Sequence, residues 1–194
     1  YGGTERIVHY LTEELVALGH DVTLYAAGDS KTYADLISVC PHSLRLDESC
    51  VDSIAHHMTM LELISRQYHA YDVVHFHIDY LHFMMSRLLG LRQLTTLHGR
   101  LDLPDLQPLF YSYKDMPVVS ISDAQRRPLL QASWLGTVLH GLPTQLLEFT
   151  DKPSGYFAFV GRISPEKRVD RAIEIATALD TPLRIAAKID KRDQ

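Results

Sequence analysis

Short apolar runs alternate along this chain with longer segments in which apolar residues recur every three or four positions. Apolar runs of about four to eight residues are typical of buried strands, and the three-to-four spacing is typical of amphipathic helices. The runs predict strands at residues 21–27, 36–39, 72–77, 94–98, 117–120, 134–139, 156–160 and 183–187. The spaced patterns predict helices at residues 4–18, 53–68, 81–89, 104–113 and 165–179, with another that begins near residue 122.

Residue types at the helix ends support these boundaries. Thr4 suits the N-cap of the first helix, and Gly19 suits its end. Ser122-Asp123-Ala124-Gln125 fits a capping box, which is our interpretation of Asp123 and Gln125. The last predicted helix is expected to bury one stripe, formed by Val169, Ala172, Ile173, Ala176 and Leu179.

Strands that alternate with helices are typical of βαβ units, in which helices cover both faces of a parallel sheet. We therefore predict an α/β fold: a Rossmann-like parallel-sheet domain that lacks its first strand, followed by the opening βαβ of a second such domain. Residues 142–155 interrupt the alternation with Pro143, Pro153 and Gly155, as a linker would. The predicted domains are residues 1–145 and 156–194, with a linker at 146–155.

The composition is that of a globular protein, since 46% of the 194 residues are hydrophobic and 22% are charged. A formal charge of -5 without a dense basic stripe disfavours nucleic-acid binding. No apolar run approaches the ~18 residues that span a bilayer, so we expect no integral membrane segment and leave peripheral membrane contact open. Cys40 and Cys50 have no metal or redox spacing, which indicates free thiols and a cytoplasmic location.

The segment from Phe159 to Lys167 carries the strongest chemical signal. An apolar strand runs into a Gly turn, and Ser164 and Pro165 suit the N-cap and first position of the next helix. The backbone N–H groups of a first helical turn attract anions, and Arg162 and Lys167 flank this turn. The pattern indicates a diphosphate site; the alternative is an ordinary strand–helix junction with solvated charges.

Unusual residue types gather after the predicted strands, where doubly wound sheets bind their ligands. Gly2 and Gly3 precede the first helix, where small residues let a phosphate or sugar approach the backbone. His98 follows a strand and could hydrogen-bond a sugar hydroxyl. The alternatives are a tight turn at the glycines and a backbone hydrogen bond at His98. The remaining histidines on helix faces and in loops are interpreted as structural: His9, His20, His42, His56, His57, His69 and His82.

His75, His77 and Asp79 form an H-x-H-x-D run at one predicted strand. Alternate strand residues share a face, so the two histidines could chelate a metal, with His98 as a further ligand. This is the alternative function, a metal-dependent hydrolase. Tyr80 stands where the metallo-β-lactamase pattern has a histidine, and no further ligand set is visible, so we favour structural roles for these residues.

Together these motifs resemble glycosyltransferase family 4, whose nucleotide-sugar glycosyltransferases have the two-domain GT-B fold. The resemblance covers nearly the whole chain in the family's order. The matching segments are YGGTER (1–6), ALGHDVTLY (17–25), DVVHFH (72–77), TTLHG (95–99), SISDA (120–124) and VGRISPEK (160–167).

The resemblance implies a retaining transfer of a sugar, of hexosyl type, from a nucleotide-sugar donor to an acceptor, without a metal or other cofactor. Gly2 and Gly3 match the Gly-rich loop near the donor phosphates and the acceptor. His98 matches a histidine near the transferred sugar, and Arg162 and Lys167 match the pair that holds the donor diphosphate. His98, Arg162 and Lys167 are therefore the expected catalytic residues. Acceptor choice is expected to lie in first-domain loops such as 28–33 and 99–106.

Two departures from the family pattern affect what the resemblance implies for this chain. Arg168 stands where the family usually has a glycine, which could alter helix packing or add a third cation. The Glu-x7-Glu motif that binds ribose and donor sugar would lie after Gln194. Since the chain also lacks an initiator Met before Tyr1, we expect both ends to lie within a longer protein and this piece to have little activity alone. A non-catalytic sugar- or nucleotide-binding module is a third hypothesis.

Overall fold

The structure, a computed structural model, describes residues 2–188. Tyr1 of the first matching segment and residues 189–194 lie outside the described residues. The helices are α1 (Gly3–Ala17), α2 (Ser53–Gln67), α3 (Phe83–Leu89), α4 (Leu106–Ser112), α5 (Asp123–Arg126) and α6 (Val169–Ala178). The strands are β1 (Thr23–Ala26), β2 (Asp35–Ser38), β3 (Val74–Phe76), β4 (Gln93–Thr96), β5 (Pro117–Ser120), β6 (Ser133–Thr137), β7 (Phe157–Arg162) and β8 (Leu183–Lys188).

Within residues 2–188 every strand pair is parallel. β1 pairs with β2, the larger sheet has the order β3-β4-β5-β6, and β7 pairs with β8. Parallel neighbours need crossover connections, which helices supply as the alternation predicted, except between β1 and β2, where residues 27–34 form a loop. The α/β, Rossmann-like fold class is therefore confirmed. Because the four strands of the larger sheet point the same way, their carboxyl ends lie along one edge.

Contacts divide the chain into two compact units, Tyr1–Pro143 and Thr144–Gln194. The domain and linker boundaries at residues 145 and 155 stay predictions. The second unit contains β7, a 3-10 turn (Pro165–Lys167), α6 and β8, with α6 packed against both strands.

Two clusters of buried side chains hold the first unit together. Burial of one large apolar side chain contributes about 1.5–3 kcal/mol, so these clusters supply much of the stability of the first unit. The smaller cluster packs Leu61 and Ile64 of α2 against Phe76 of β3. The larger cluster joins α3 and α4 to β5 and comprises Phe83, Leu97, Leu101, Leu106, Phe110, Met116, Val118, Leu129 and Ala132.

The first helix starts differently from its prediction. α1 begins at Gly3 with Gly2 in the N-cap position, so the prediction of Thr4 as the N-cap is wrong. Gly2 has a φ of 87°, a backbone conformation that residues with a side chain rarely adopt. A glycine at residue 2 therefore has a local structural reason.

The helix predicted at 165–179 is broken. A 3-10 turn covers Pro165–Lys167, and α6 begins only at Val169, because Arg168 between them adopts a left-handed conformation. The predicted buried stripe is correct at Ala176, which is 5% exposed, and wrong at Ile173 and Leu179, which are 48% and 59% exposed.

Among the described residues, no helix is both long and apolar enough to cross a lipid bilayer.

Candidate functional site

Three histidines meet at the carboxyl edge of the four-stranded sheet. His77 directly follows β3, His98 lies two residues after β4, and His140 lies three residues after β6. Nδ1 of His77 is 2.9 Å from Nε2 of His98, and Nδ1 of His98 is 3.1 Å from Nε2 of His140. These contacts form a continuous chain of three imidazoles, which we call the histidine relay.

Both ring nitrogens of His98 are therefore engaged inside the protein. A neutral imidazole has one N–H donor and one acceptor nitrogen. In a chain of neutral rings, both hydrogen bonds are therefore donated in the same direction, either toward His140 or toward His77. A sugar hydroxyl can reach a nitrogen of His98 only if one of these bonds opens. His140 is the exposed residue of the three. Solvent or a ligand can therefore replace the His98–His140 hydrogen bond at a lower free-energy cost than the His77–His98 bond.

His77 and His98 of the relay are uncharged near neutral pH. Burial, together with the neighbouring His140 and His75, lowers the pKa of His98 to about 4. Burial likewise lowers the pKa of His77 to about 3, because a charged imidazole loses hydration there. At neutral pH, His98 can thus exchange hydrogen bonds with a substrate without bringing a positive charge.

The H-x-H-x-D run does not form a metal centre among the described residues. Nε2 of His75 lies 2.8 Å from Oγ1 of Thr96, while His77 points its Nδ1 at His98. The described part of the chain contains no group of three His, Cys, Asp or Glu side chains placed to hold a metal ion. Among the described residues, the alternative function of a metal-dependent hydrolase therefore lacks a set of metal ligands.

His82 is structural, as predicted. Its ring is completely buried, stacks on Phe76 at 3.6 Å between centroids, and hydrogen-bonds Ser86 and Thr95 through its two nitrogens at 2.8 Å each. Burial lowers the pKa of His82 to about 3, so it stays neutral. This residue ties the start of α3 to β4.

Gln125 holds the loop that carries His98. Its Nε2 donates hydrogen bonds to the carbonyl oxygens of Leu97 and Gly99, each at 3.0 Å, on either side of His98. Its Oε1 accepts from the backbone N–H of Ile121 at 2.9 Å. The side chain of Gln125, on α5 after the neighbouring strand β5, thus positions the His98 backbone.

The predicted capping box is confirmed on one side. Oγ of Ser122 accepts the backbone N–H of Gln125 at 3.2 Å. The Gln125 carboxamide serves Ile121 rather than Ser122 itself, one residue earlier than a capping box requires.

In the second unit, β7 ends at Arg162 and the turn leads to Lys167. Nη2 of Arg162 lies 2.9 Å from Oε1 of Glu166, and both side chains are about half exposed. Lys167 is exposed as well. The prediction of Ser164 as a side-chain cap is wrong, because its hydroxyl caps no backbone N–H. The anion site predicted here therefore depends on the two cations rather than on the start of a long helix.

Arg168 carries an exposed ion pair, as Arg162 does, and its role as a third cation stays a prediction. Its guanidinium pairs with Asp170, with Nε 3.0 Å from Oδ1 and Nη2 2.8 Å from Oδ2. This hydrogen bonding lowers the pKa of Asp170 to about 2. The φ of Arg168 is 54°, in the left-handed region that glycine occupies at low cost. The backbone thus explains why a glycine is expected at this position.

The structure brings His98 together with His77, which the sequence joined to it only as a possible metal ligand, and with His140, which the sequence did not join to it. It also shows that the Gln125 carboxamide contacts the backbone on both sides of His98, in addition to its predicted capping role. One signal was available in the sequence: His77 and His98 are the last residues of predicted strands, and His140 directly follows another. The roles assigned to Gly2, Gly3, His98, Arg162 and Lys167 stay predictions.

Comparison with curated proteins finds no match. Comparison with protein families matches residues 1–135 to Glycosyltransferase Family 4. The matched segment contains β1–β5, α1–α5, His77, His98 and Gln125. It covers most of the 194 residues, and we conclude that this chain belongs to glycosyltransferase family 4.

Proposed function

We propose that the protein is a retaining, metal-independent glycosyltransferase that moves a hexosyl group from a nucleotide-sugar donor to an acceptor. The same proposal includes a cytoplasmic location, a role in carbohydrate biosynthesis and peripheral rather than integral contact with membranes. The observation that carries it is the neutral His98 at the carboxyl edge of a parallel sheet in a family 4 chain.

His98 suits contact with a sugar because its imidazole is neutral and half-buried. A neutral ring offers a hydrogen-bond donor and an acceptor, and sugar hydroxyls can use both. Opening the bond to the exposed His140 frees one nitrogen while His77 and Gln125 still hold the ring and its backbone. In the proposed reaction, His98 orients the transferred sugar.

Arg162 and Lys167 are proposed to bind the donor diphosphate. Negative charge grows on the leaving diphosphate as the glycosidic bond breaks, and fixed cations offset that charge. Loss of one such group costs about 3–4 kcal/mol of transition-state stabilisation in comparable oxyanion sites. Gly2 and Gly3 are proposed to let the donor phosphates approach the backbone at the start of α1.

The test is a thermal-shift screen of the full-length protein against UDP-, GDP- and ADP-sugars in the presence of EDTA. A ligand that binds only the folded state raises the unfolding temperature. We expect one nucleotide series to stabilise the protein, and Arg162→Ala and Lys167→Ala to abolish that stabilisation and sugar transfer.

Arg171→Ala is the matched control, because Arg171 is an exposed arginine of the same unit that pairs with Glu174 on α6. Equal stabilisation in all three variants would contradict the proposed diphosphate site. Nucleotide-sugar binding that persists while transfer is absent would favour the non-catalytic binding module.

A further inference from the structure

One buried hydroxyl in the second unit has no hydrogen-bond partner. Ser164 lies in the turn between Arg162 and Lys167 and is 6% exposed. Its Oγ is shielded from solvent and completes no hydrogen bond, which holds for no other buried polar atom among the described side chains. A buried hydroxyl without a partner costs free energy, so this atom needs an explanation.

Capping of the turn does not explain the hydroxyl. The backbone of Ser164 is extended, as is usual for an N-cap residue, but its side chain accepts no N–H of the turn Pro165–Lys167. The hydrogen bond that closes this turn runs instead from the Lys167 N–H to the carbonyl oxygen of Ser164, at 3.0 Å. The turn therefore forms without the Ser164 side chain.

The Glu166 carboxylate lies beside this hydroxyl. Its own backbone N–H, then the Ser164 hydroxyl and the charges of Arg162 and Lys167, lower the pKa of Glu166. Oε1 of Glu166 is 2.9 Å from Nη2 of Arg162, while its approach to Oγ of Ser164 stops short of a hydrogen bond. One carboxylate thus occupies a place among several groups that favour an anion.

This carboxylate can leave at low cost. The side chains of Glu166 and Arg162 are 53% and 47% exposed, and exposed ion pairs contribute little to stability. A phosphate group carries more negative charge than a carboxylate and has three strong acceptor oxygens. It can therefore replace the Glu166 carboxylate beside Arg162 and also supply the acceptor that the Ser164 hydroxyl lacks.

We propose that Ser164 is a further binding residue for the donor: once a diphosphate displaces the Glu166 carboxylate, the Ser164 hydroxyl donates a hydrogen bond to a phosphate oxygen. The inference rests on the proposed glycosyltransferase function and adds a neutral donor to the cations Arg162 and Lys167. Glu166 covers the hydroxyl while the site is without donor and moves aside when the diphosphate binds.

Isothermal titration of the full-length protein with inorganic pyrophosphate is the test, because this probe has neither base nor sugar. Ser164→Ala is expected to weaken pyrophosphate binding about ten-fold, the effect of one lost hydrogen bond to a charged group. Its unfolding temperature is expected to be unchanged or higher, since the hydroxyl has no partner to lose. Ser154→Ala, at an exposed serine of the same unit, is the control.

A second variant separates direct contact from an effect through Glu166. Glu166→Ala removes the carboxylate and is expected to tighten pyrophosphate binding. If Ser164 contacts the phosphate, adding Ser164→Ala to Glu166→Ala again weakens binding about ten-fold. A Ser164 that serves only to hold Glu166 would have no effect in that background, and Ser164→Ala alone would then tighten binding.

The proposal is overturned if Ser164→Ala binds pyrophosphate as tightly as the unchanged protein, or if its effect disappears in the Glu166→Ala background. An unchanged affinity in Ser164→Ala, with binding lost in Arg162→Ala and Lys167→Ala, would remove this contact and leave the proposed function standing. Equal affinity in all three variants, or no pyrophosphate binding by the unchanged protein, would count against the diphosphate site itself.

Discussion

Nδ1 of His77 lies 2.9 Å from Nε2 of His98, although 21 residues separate the two in the chain. This contact joins the ends of neighbouring parallel strands β3 and β4, and His140 extends it from β6. The histidine relay therefore depends on the order of the strands rather than on any local motif.

The relay predicts how His98 titrates. Replacing His140 by alanine exposes Nδ1 of His98 to solvent and removes a neighbouring ring whose charge lowers its pKa. We expect the pKa of His98 to rise from about 4 toward its ordinary value of about 6.5 in His140→Ala. Imidazole ¹⁵N NMR measures this shift, and His20→Ala in the exposed loop after α1 is the control. An unchanged His98 titration in His140→Ala would contradict the relay.

Buried His82 makes stability depend on pH. Its pKa is about 3 in the folded state and about 6.5 in the unfolded state, so below pH 6.5 the unfolded chain binds a proton that the folded chain does not. The free energy of unfolding therefore falls as the pH falls from 6.5 toward 3, by about 2 kcal/mol between pH 6.5 and 5 from this residue. His75, His77 and His98 act in the same direction.

Urea unfolding of the chain and of His82→Gln at pH 6.5 and pH 5 measures this effect. The variant is expected to be less stable at pH 6.5, since Ser86 and Thr95 lose their ring partner, but to lose less stability on acidification. Parallel losses in the two proteins would show that His82 is not the residue that titrates.

Gln125 is predicted to act as a positioning residue for His98. Gln125→Met keeps the side-chain length but removes its bonds to Leu97, Gly99 and Ile121, which costs about 2 kcal/mol of stability. Hydrogen exchange of the backbone amides at residues 97–100 is expected to accelerate, and kcat of the full-length protein to fall more than the KM for the donor changes.

Ser122→Ala is the matched control for Gln125→Met. It removes only the N-cap bond to the Gln125 backbone, at a cost of about 1 kcal/mol, and leaves the carboxamide in place. If both variants accelerate exchange at residues 97–100 equally, the effect comes from α5 as a whole and not from the Gln125 side chain.

The left-handed backbone at residue 168 predicts a stabilising substitution. Arg168→Gly removes the conformational cost of about 1 kcal/mol for a non-glycine residue at this φ, and also loses the exposed ion pair with Asp170. Arg168→Ala loses the same ion pair but keeps the backbone cost. Chemical denaturation is expected to rank Arg168→Gly above Arg168→Ala by about 1 kcal/mol, and equal stabilities would contradict the left-handed conformation.

Glu166 is predicted to compete with the donor diphosphate for Arg162. Their ion pair is exposed, and pairs of this kind contribute about 0.2–1 kcal/mol, so Glu166→Gln is expected to tighten nucleoside diphosphate binding about two- to five-fold. Isothermal titration of the full-length protein with UDP, GDP and ADP measures this change. Glu174→Gln, which releases Arg171 on α6, is the control, and an equal effect of both variants would locate the diphosphate elsewhere.

Much of the fold could be predicted from local patterns. The strand at 117–120 and the helix that begins at Ser53 were placed correctly because apolar runs and helical spacing report burial directly. Helix starts were less predictable. Thr4 and Ser164 have the right chemistry for caps, but the positive φ of Gly2 and of Arg168 decided where α1 and α6 begin.

The candidate site, like the fold, could be predicted from the sequence only in part. The amino-acid sequence by itself determined which residue types follow each strand, and so placed His77, His98 and His140 at one edge of a parallel sheet. Only the tertiary structure decided that these three rings touch and that Gln125 reaches across to both neighbours of His98. Burial and helical periodicity are local properties of a sequence, whereas side-chain contacts between separate strands arise only after the sheet has brought distant segments together.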